Sequence, residues 1–528
     1  GGLLHDAGQL IAYDIHGPAR EFAPLAALLA AAMSGLGRSQ AHTISEVGWW
    51  MHNLTVISFL NLLPLSKHFH IITAIPNVFF GKLTPPSVPR TGLAVTQVPA
   101  APVARLDPPA DGRPGVASLA DVSWKQVLDA FSCTECGRCT SVCPATASGA
   151  PLAPRQLILD IRDRLYDHSE QQQRGRVDGA APLISSDVLW SCTTCMACVE
   201  ACPVGIEHVP TIVDMRRNLV DRGELEPLLQ KTLENFGKQG NSYGKSAKMR
   251  SRWTKGLDFR IPDARTTPVD YLWFVGDFAS FDERVQEASR RVARILHGAG
   301  ISFGLLYDGE RNAGNDVRRV GEEGLFEMLV EHNLGVLGEA SFQAIFTTDP
   351  HSLNTLRNEY PHYGLQAPVY HYTELLAQLV ADGRVALRTP LSGTRVTYHD
   401  PCYLARYNRI IDAPRSLIAA TGAELIEMGR HGTNTFCCGA GGGRIWMDDS
   451  ALQERPSEQR IREAQALGEL DYFIVSCPKD LAMYSDAAKT VGASFEVAEL
   501  TALVERALGE AEPSLAVVGR AGAGEAVE

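Results

Sequence analysis

Cys133-Thr-Glu-Cys136-Gly-Arg-Cys139-Thr-Ser-Val-Cys143-Pro144 recurs with the same spacing as Cys192-Thr-Thr-Cys195-Met-Ala-Cys198-Val-Glu-Ala-Cys202-Pro203. Three thiolates at intervals of three wrap one corner of an iron–sulfur cube. In two-cluster proteins the fourth Cys reaches the neighbouring cube, and Pro turns the chain away. The spacing therefore predicts one [4Fe-4S] cluster on Cys133, Cys136, Cys139 and Cys202 and a second on Cys192, Cys195, Cys198 and Cys143. The competing reading is a pair of zinc sites, but zinc frameworks seldom place three thiols at this spacing before Cys-Pro.

The other four of the twelve cysteines are Cys402, Cys437, Cys438 and Cys477. No thiol is left over as an ordinary buried apolar residue, so every one reads as a ligand or redox group. Thiolate clusters persist in a reducing compartment, which predicts that the cysteine-bearing part faces the cytoplasm. A chain of 528 residues with 45% hydrophobic composition has room for three to four domains. A small disulfide scaffold is excluded. The net charge of -12 and the lack of a long Lys/Arg run leave nucleic acid without an electrostatic footing as a partner.

The N-terminal region reads differently. The chain starts at Gly1 without Met or a charged leader, which predicts a fragment or a processed product. Val47 to Leu65 is a run of 19 residues without a charge, long enough as a helix to span a bilayer core, with Trp49 and Trp50 at one interface. The plain alternative is a buried core helix, since Asn53, Asn61 and Pro64 dilute the apolar signal. On an unbroken helix His52 and His70, five turns apart, share a face about 27 Å from end to end, which suits axial ligation of two haems, whereas His68 points elsewhere. The plain alternative is interfacial histidines. Residues 1–82 are thus expected to be the end of a membrane domain.

Residues 83–115 form a Pro-rich linker: eight of the 30 prolines fall between residues 85 and 114. Residues 116–241 have a helical pattern around the two Cys runs. Beyond Pro268 short apolar runs, Tyr271–Val275, Ile301–Leu306, Ala344–Thr347 and Tyr472–Val475, alternate with helical stretches as in parallel βαβ units. Ser280 and Glu283 read as a capping box before a helix with Val285, Ala288, Val292 and Ile295 on one face and Gly298 as its stop. The tail, residues 509–528, is Ala/Gly/Glu-rich and reads as disordered.

This α/β part repeats. Tyr271–Asp277 runs parallel to Thr397–Cys402, Asn312-Ala313-Gly314 to Cys437-Cys438-Gly439, and Asp349–Ser352 to Cys477–Asp480. Two copies of one unit are expected, residues 268–390 and 391–508, and only the second keeps thiols. The glycine run Gly439-Ala-Gly-Gly-Gly443 suits a loop whose backbone N–H groups point at cluster sulfurs. A third iron–sulfur cluster is the preferred occupant of Cys402, Cys437, Cys438 and Cys477; a structural zinc or a redox disulfide remains open.

The tandem repeat with Cys402, Cys437-Cys438-Gly439 and Cys477-Pro478 resembles the cysteine-rich (CCG) domain of heterodisulfide reductase and its relatives. The twin Cys runs, followed by Gly205–Pro210 and Met215-Arg-Arg217, look like the cytoplasmic part of membrane-bound iron–sulfur oxidoreductases. Trp49–His52, Ser66–His70 and Pro76–Phe79 look like the end of a nitrate-reductase-gamma-like haem b domain. Together they are similar to the electron transfer flavoprotein:menaquinone oxidoreductase type. The resemblance implies a multidomain oxidoreductase: a transmembrane helix remnant, an α-helical dicluster ferredoxin domain, and an α/β pseudo-twofold tandem CCG repeat. It also implies electrons passing from a soluble flavoprotein or dehydrogenase, through the clusters and haem b, to membrane quinone, with membrane lipid around the anchor and the iron–sulfur domains on the cytoplasmic side of the inner membrane.

Two departures bear on the resemblance. The first repeat has Asp277, Asn312, Asp349 and Ser352 where ligands would stand, which predicts a structural half. In the second, Asp480 replaces the last Cys of the usual Cys-x2-Cys and so puts a five-thiolate cluster in doubt; Asp480 itself could act as an oxygen ligand. The rival readings are a heterodisulfide-reductase-like thiol–disulfide reductase, argued against by the missing cysteines, and a non-catalytic subunit that wires a separate dehydrogenase to the membrane.

Overall fold

The structure, a computed structural model, describes residues 1–15, 22–81, 114–173 and 183–509. Nearly all of the expected linker and tail lies outside the described residues. Two compact units are present, Gly1–Pro76 and the remainder from Asn77.

In the first unit α1 (Gly2–Ala12) packs on α2 (Arg38–Leu62) through small residues. A Cβ on Gly8 would stand 2.7 Å from the Ala41 carbonyl oxygen, and one on Gly48 would stand 2.5 Å from the His5 nitrogen. Gln9 Nε2 donates to Ser45 Oγ at 2.9 Å across the same seam. Beyond Gly48, α2 leaves Trp50, Leu54, Ile57, Leu60 and Leu62 exposed.

The expected span from Val47 to Leu65 is not one helix. The α-helix ends at Leu62, residues 63–65 form a 3-10 turn containing Pro64, and Ser66 is extended, with its hydroxyl capping a second turn at His68. Pro64 has no N–H to continue the ladder, and its ring clashes with the preceding turn. Asn53 and Asn61 turn their amides back onto their own helix, to the carbonyls of Trp49 and Ile57. No described helix is long and apolar enough to cross a membrane. The same break corrects the histidine geometry. His52 sits in α2, whereas His68 and His70 lie beyond two turns and an extended residue, so the five-turn face expected of His52 and His70 does not exist.

In the second unit, helices Trp124–Ser132, Pro154–Gln173, His208–Asp221 and Pro227–Gln239 surround the two Cys loops. Ser123 and Gln126 close a reciprocal cap on the first of these. The α/β part holds two parallel four-stranded sheets. In the first, β1 (Tyr271–Phe274), β2 (Phe303–Gly304), β3 (Ala344–Thr347) and β4 (Val369–His371) are ordered β2-β1-β3-β4. In the second, β5 (Arg395–Tyr398), β6 (Glu424–Leu425), β7 (Tyr472–Val475) and β8 (Glu496–Glu499) repeat that order as β6-β5-β7-β8. The central strands are largely buried, and β1 and β7 are continuous apolar runs, because helices cover both faces of each sheet.

The expected Ser280/Glu283 cap does not form. Ser280 lies inside a short helix, α3 (Asp277–Phe281), and donates its hydroxyl to the Gly276 carbonyl at 2.7 Å, while Glu283 is exposed. The following helix starts at Gln286, and Val285, Ala288, Val292 and Ile295 are all buried.

Candidate iron–sulfur centres and the junction between them

Both Cys runs fold into the same coil. Glu135 and Gly137 have φ of 58° and 80°, and their counterparts Thr194 and Met196 have φ of 52° and 64°. Left-handed backbone at non-glycine residues is costly and persists where the surroundings impose it. Here it turns successive N–H groups inward, an arrangement that favours an anion. The Thr194 amide donates to Cys192 Sγ at 3.3 Å and the Ile206 amide to Cys202 Sγ at 3.4 Å.

The fourth cysteines exchange partners. Cys202 is close enough to Cys133, Cys136 and Cys139 for their charges to interact, and Cys143 is equally close to Cys192 and Cys198. Burial pushes the thiols of Cys139 and Cys192 up to about 11, so neither ionises readily unaided. A metal removes that barrier by taking the thiolate as a ligand. No three Cys, His, Asp or Glu side chains among the described residues converge tightly enough for one metal ion. A zinc with bonds of about 2.3 Å would need such convergence. Mostly buried thiols in a repeated coil, with amides aimed at their sulfurs, fit iron–sulfur clusters.

The second thiol set gathers at the C-terminal ends of β5, β6 and β7, where open parallel sheets bind their ligands. Cys402 opens α5 (Cys402–Ala405), and Cys437 and Cys438 lie in the loop after β6. The Gly439 amide donates to Cys437 Sγ at 3.3 Å and the Ala440 amide to Cys438 Sγ at 3.5 Å, the role expected of the glycine run. Hydrogen bonds from Cys195, Cys402 and Cys438 hold the Cys437 thiol well below its ordinary value. Cys195, expected to serve only the second ferredoxin cluster, thus touches the CCG set. Cys477 lies at the N-terminus of α6 (Pro478–Val491), with Asp480, Asp349 and Lys479 as charged neighbours. Asp480 takes a hydrogen bond from Cys438, and burial raises its carboxyl to about 7.

The second ferredoxin loop is clasped by the second repeat. Arg216 donates to the carbonyls of Cys192 at 2.6 Å and Gly442 at 3.1 Å, and Tyr407 OH donates to that of Thr194 at 2.6 Å. Arg406 Nε donates to the carbonyl of Cys195 at 2.6 Å. Thr193 Oγ1 lies 3.5 Å from Cys437 Sγ. None of these contacts follows from the spacing of the cysteines, although Arg406 one helical turn after Cys402 was a usable signal. A cavity of about 260 Å³ opens at the junction, walled by Thr193, Gly439, Arg444, Met447 and Met483 among others.

The first repeat fills the equivalent place with polar side chains. Asp277 receives Arg250 at 2.9 Å, Asn312 Nδ2 at 2.8 Å and the Ser242 amide at 2.8 Å, and Arg250 also reaches Glu310 at 2.8 Å. Asp349, in the place of Cys477, caps α4 (Pro350–Asn358) by accepting from the amides of His351 and Ser352. The three histidines form no common site. His70 Nδ1 faces the Lys67 carbonyl at 2.7 Å, and the rings of His68 and His70 are 6.5 Å apart.

Paired ferredoxin coils joined to a parallel α/β half with a third thiol set define an iron–sulfur electron-transfer protein. Comparison with known proteins agrees. The 4Fe-4S dicluster domain matches residues 125–203 and the cysteine-rich (CCG) domain matches residues 396–482. The chain is 34% identical to the probable iron-sulfur-binding oxidoreductase FadF of Bacillus subtilis, covering 91% of this chain and 73% of that protein. It is 33% identical to the EtfAB:quinone oxidoreductase of Syntrophomonas wolfei, covering 86% and 67%. It is 36% identical to the probable membrane-anchored ferredoxin of Chromohalobacter salexigens, covering 77% and 64%. The chain thus spans about two thirds to three quarters of the length of these relatives. It belongs to this family of iron–sulfur oxidoreductases and carries iron–sulfur clusters for electron transfer.

Proposed function

We propose that the chain passes single electrons between a soluble electron-transfer flavoprotein and membrane quinone. In this reading Cys133, Cys136, Cys139 and Cys202 hold one [4Fe-4S] cluster, and Cys143, Cys192, Cys195 and Cys198 hold the second. Cys402, Cys437 and Cys438, with Cys477 or Asp480 beside them, hold a third iron–sulfur centre. Such clusters supply one-electron chemistry at potentials tuned by hydrogen bonds to sulfur and by exposure. The domain boundaries that go with this reading are 116–241 for the ferredoxin part and 268–390 and 391–508 for the two repeats.

The observation that carries the proposal is the direct packing of the second ferredoxin loop on the CCG loop, with Thr193 Oγ1 3.5 Å from Cys437 Sγ and Arg406 Nε on the Cys195 carbonyl at 2.6 Å. The chain's own residues do the positioning: Arg216 and Tyr407 fix the carbonyls of one loop, and the amides of Gly439 and Ala440 are directed at the sulfurs of the other. The donor and acceptor classes rest on the name of the Syntrophomonas relative, and membrane attachment on the name of the Chromohalobacter one, together with the exposed apolar side chains of α2. Haem ligation by His52, His68 and His70 is not carried forward, because the helix meant to align them ends at Leu62.

Iron analysis and electron paramagnetic resonance of the anaerobically prepared full chain test this reading. About eight irons are expected at the ferredoxin sites, from two four-iron clusters, with more at the CCG site. Cys437→Ala should stop reduction by a reduced electron-transfer flavoprotein while the ferredoxin signals survive. Zinc without iron in the wild-type protein, or unchanged reduction of Cys437→Ala, refutes the reading.

A further inference from the structure

Two arginines are fully buried at the junction, and each lies beside thiols of the proposed centres: Arg216 beside Cys192, and Arg406 beside Cys195, Cys402 and Cys437. Arg216 spends its fork on main-chain carbonyls, and burial lowers it to about 10. Arg406, 1% exposed, also binds carbonyls: Nε to Cys195 at 2.6 Å, and Nη1 to Thr433 at 3.1 Å and Thr435 at 2.5 Å. Its Nη2 has no hydrogen-bond partner among the described residues. The negative groups around it are the thiols of Cys195, Cys402 and Cys437 and, less strongly, the carboxylate of Glu200. The carboxylate of Glu200, the next charge in reach, is engaged by both terminal nitrogens of Arg409 at 2.9 and 2.7 Å.

A buried guanidinium is stabilised by the carbonyls it donates to and by anions close to it. Thiolates bound to iron are such anions, and here they come from two different centres. The same side chain ties the middle of the second ferredoxin loop, at Cys195, to the strand of loop leading into Cys437, at Thr433 and Thr435. We infer that Arg406 is a positioning residue whose charge is shared by the second ferredoxin centre and the CCG centre and raises the reduction potentials of both together. The inference rests on the cluster reading proposed above. A cation favours the more negative, reduced state of each centre, so its removal lowers both potentials. The centre at Cys133, Cys136 and Cys139 has its own cations, Arg138 and Arg162, whereas the thiols that act most strongly on Arg406 are Cys195, Cys402 and Cys437.

Redox titration followed by electron paramagnetic resonance on the full anaerobic chain, as wild type, Arg406→Gln and Arg406→Lys, decides the matter. In Arg406→Gln, downward shifts are expected at the CCG centre and the second ferredoxin centre, with the first unmoved. Arg406→Lys keeps the charge without the fork, and its potentials should stay near those of the wild type. Should Arg406→Gln lose the CCG centre while Arg406→Lys keeps it, the need for charge is supported. Loss from both variants, unmoved potentials in Arg406→Gln, or equal shifts at all three centres overturns the inference. Wild-type iron is measured first: its absence defeats the cluster reading and this inference with it, whereas intact centres insensitive to Arg406→Gln defeat this inference alone.

Discussion

Gly441 shows how closely the ferredoxin and CCG loops approach. Its φ is not in the left-handed region, so conformational freedom is not what the position requires. A Cβ there would stand 2.5 Å from the Thr193 carbonyl oxygen, backbone against backbone, where no flexible side chain can yield. Gly441→Ala should therefore cost about 1–3 kcal/mol, in the range of overpacked cores. Thermal unfolding would read the loss, and a weakened magnetic interaction between the two centres would place it at the junction. An unchanged melting temperature would mean that the loops separate freely. At this scale the two coiled Cys runs were legible because their spacing is local: three thiols within seven residues have few folded arrangements. The meeting of Cys195 with Cys437 was not, since nothing within either segment encodes a partner some 240 residues away.

The elements repeat, and the repeat shows what a thiol was exchanged for. β1 and β5 each lead into a short helix, at Asp277 in one copy and Cys402 in the other, and β3 and β7 lead into Asp349 and Cys477. The short apolar runs made these strands readable; Ala344–Thr347 and Tyr472–Val475 fall where the pattern put them. The capping box at Ser280 misled, because a local hydrogen-bonding pattern cannot register that Asp277 begins its own helical turn under the pull of Arg250. The Val47–Leu65 run reads as one helix although it holds Pro64: its α-helix ends at Leu62, and no described helix is long and apolar enough to cross a membrane. In the first copy Arg250 holds two buried carboxylates, Asp277 at 2.9 Å and Glu310 at 2.8 Å. Arg250→Met should destabilise the chain by about 3–5 kcal/mol, because both acids lose their counter-charge. Chemical denaturation should show the loss while iron content stays at the wild-type level. A fall in iron would place a cluster ligand in the first copy after all.

At the scale of the whole molecule the two copies are locked together by charge. Lys479, two residues after Cys477, reaches across to Asp316 of the first copy, and His351, the counterpart of Lys479, lies 3.2 Å from the same carboxylate. Burial alone would raise the Asp316 carboxyl, but the charges of Lys479 and His351 overcome it and hold the group far below the carboxylate range. A depressed acid contributes stability that is complete above its unfolded value, 3.8, and drains away as pH falls towards the folded one. Acid unfolding should therefore steepen below about pH 4, and Asp316→Asn should remove that steepening while weakening the chain at neutral pH, where it strands Lys479. Equal slopes in the two proteins would show that the lock does not bear on stability. No amphipathic period or motif marks these three side chains, so the lock became visible only when the two sheets stood side by side.

The arginine at the heart of the first copy also bears on redesign. With Arg250 set against Asp277 and Glu310, a single Asp277→Cys substitution would leave a buried cation short of one of its acids and still provide only one of several thiols. Grafting a metal centre into that half would therefore require the arginine and its acids to be replaced together, in one step rather than residue by residue.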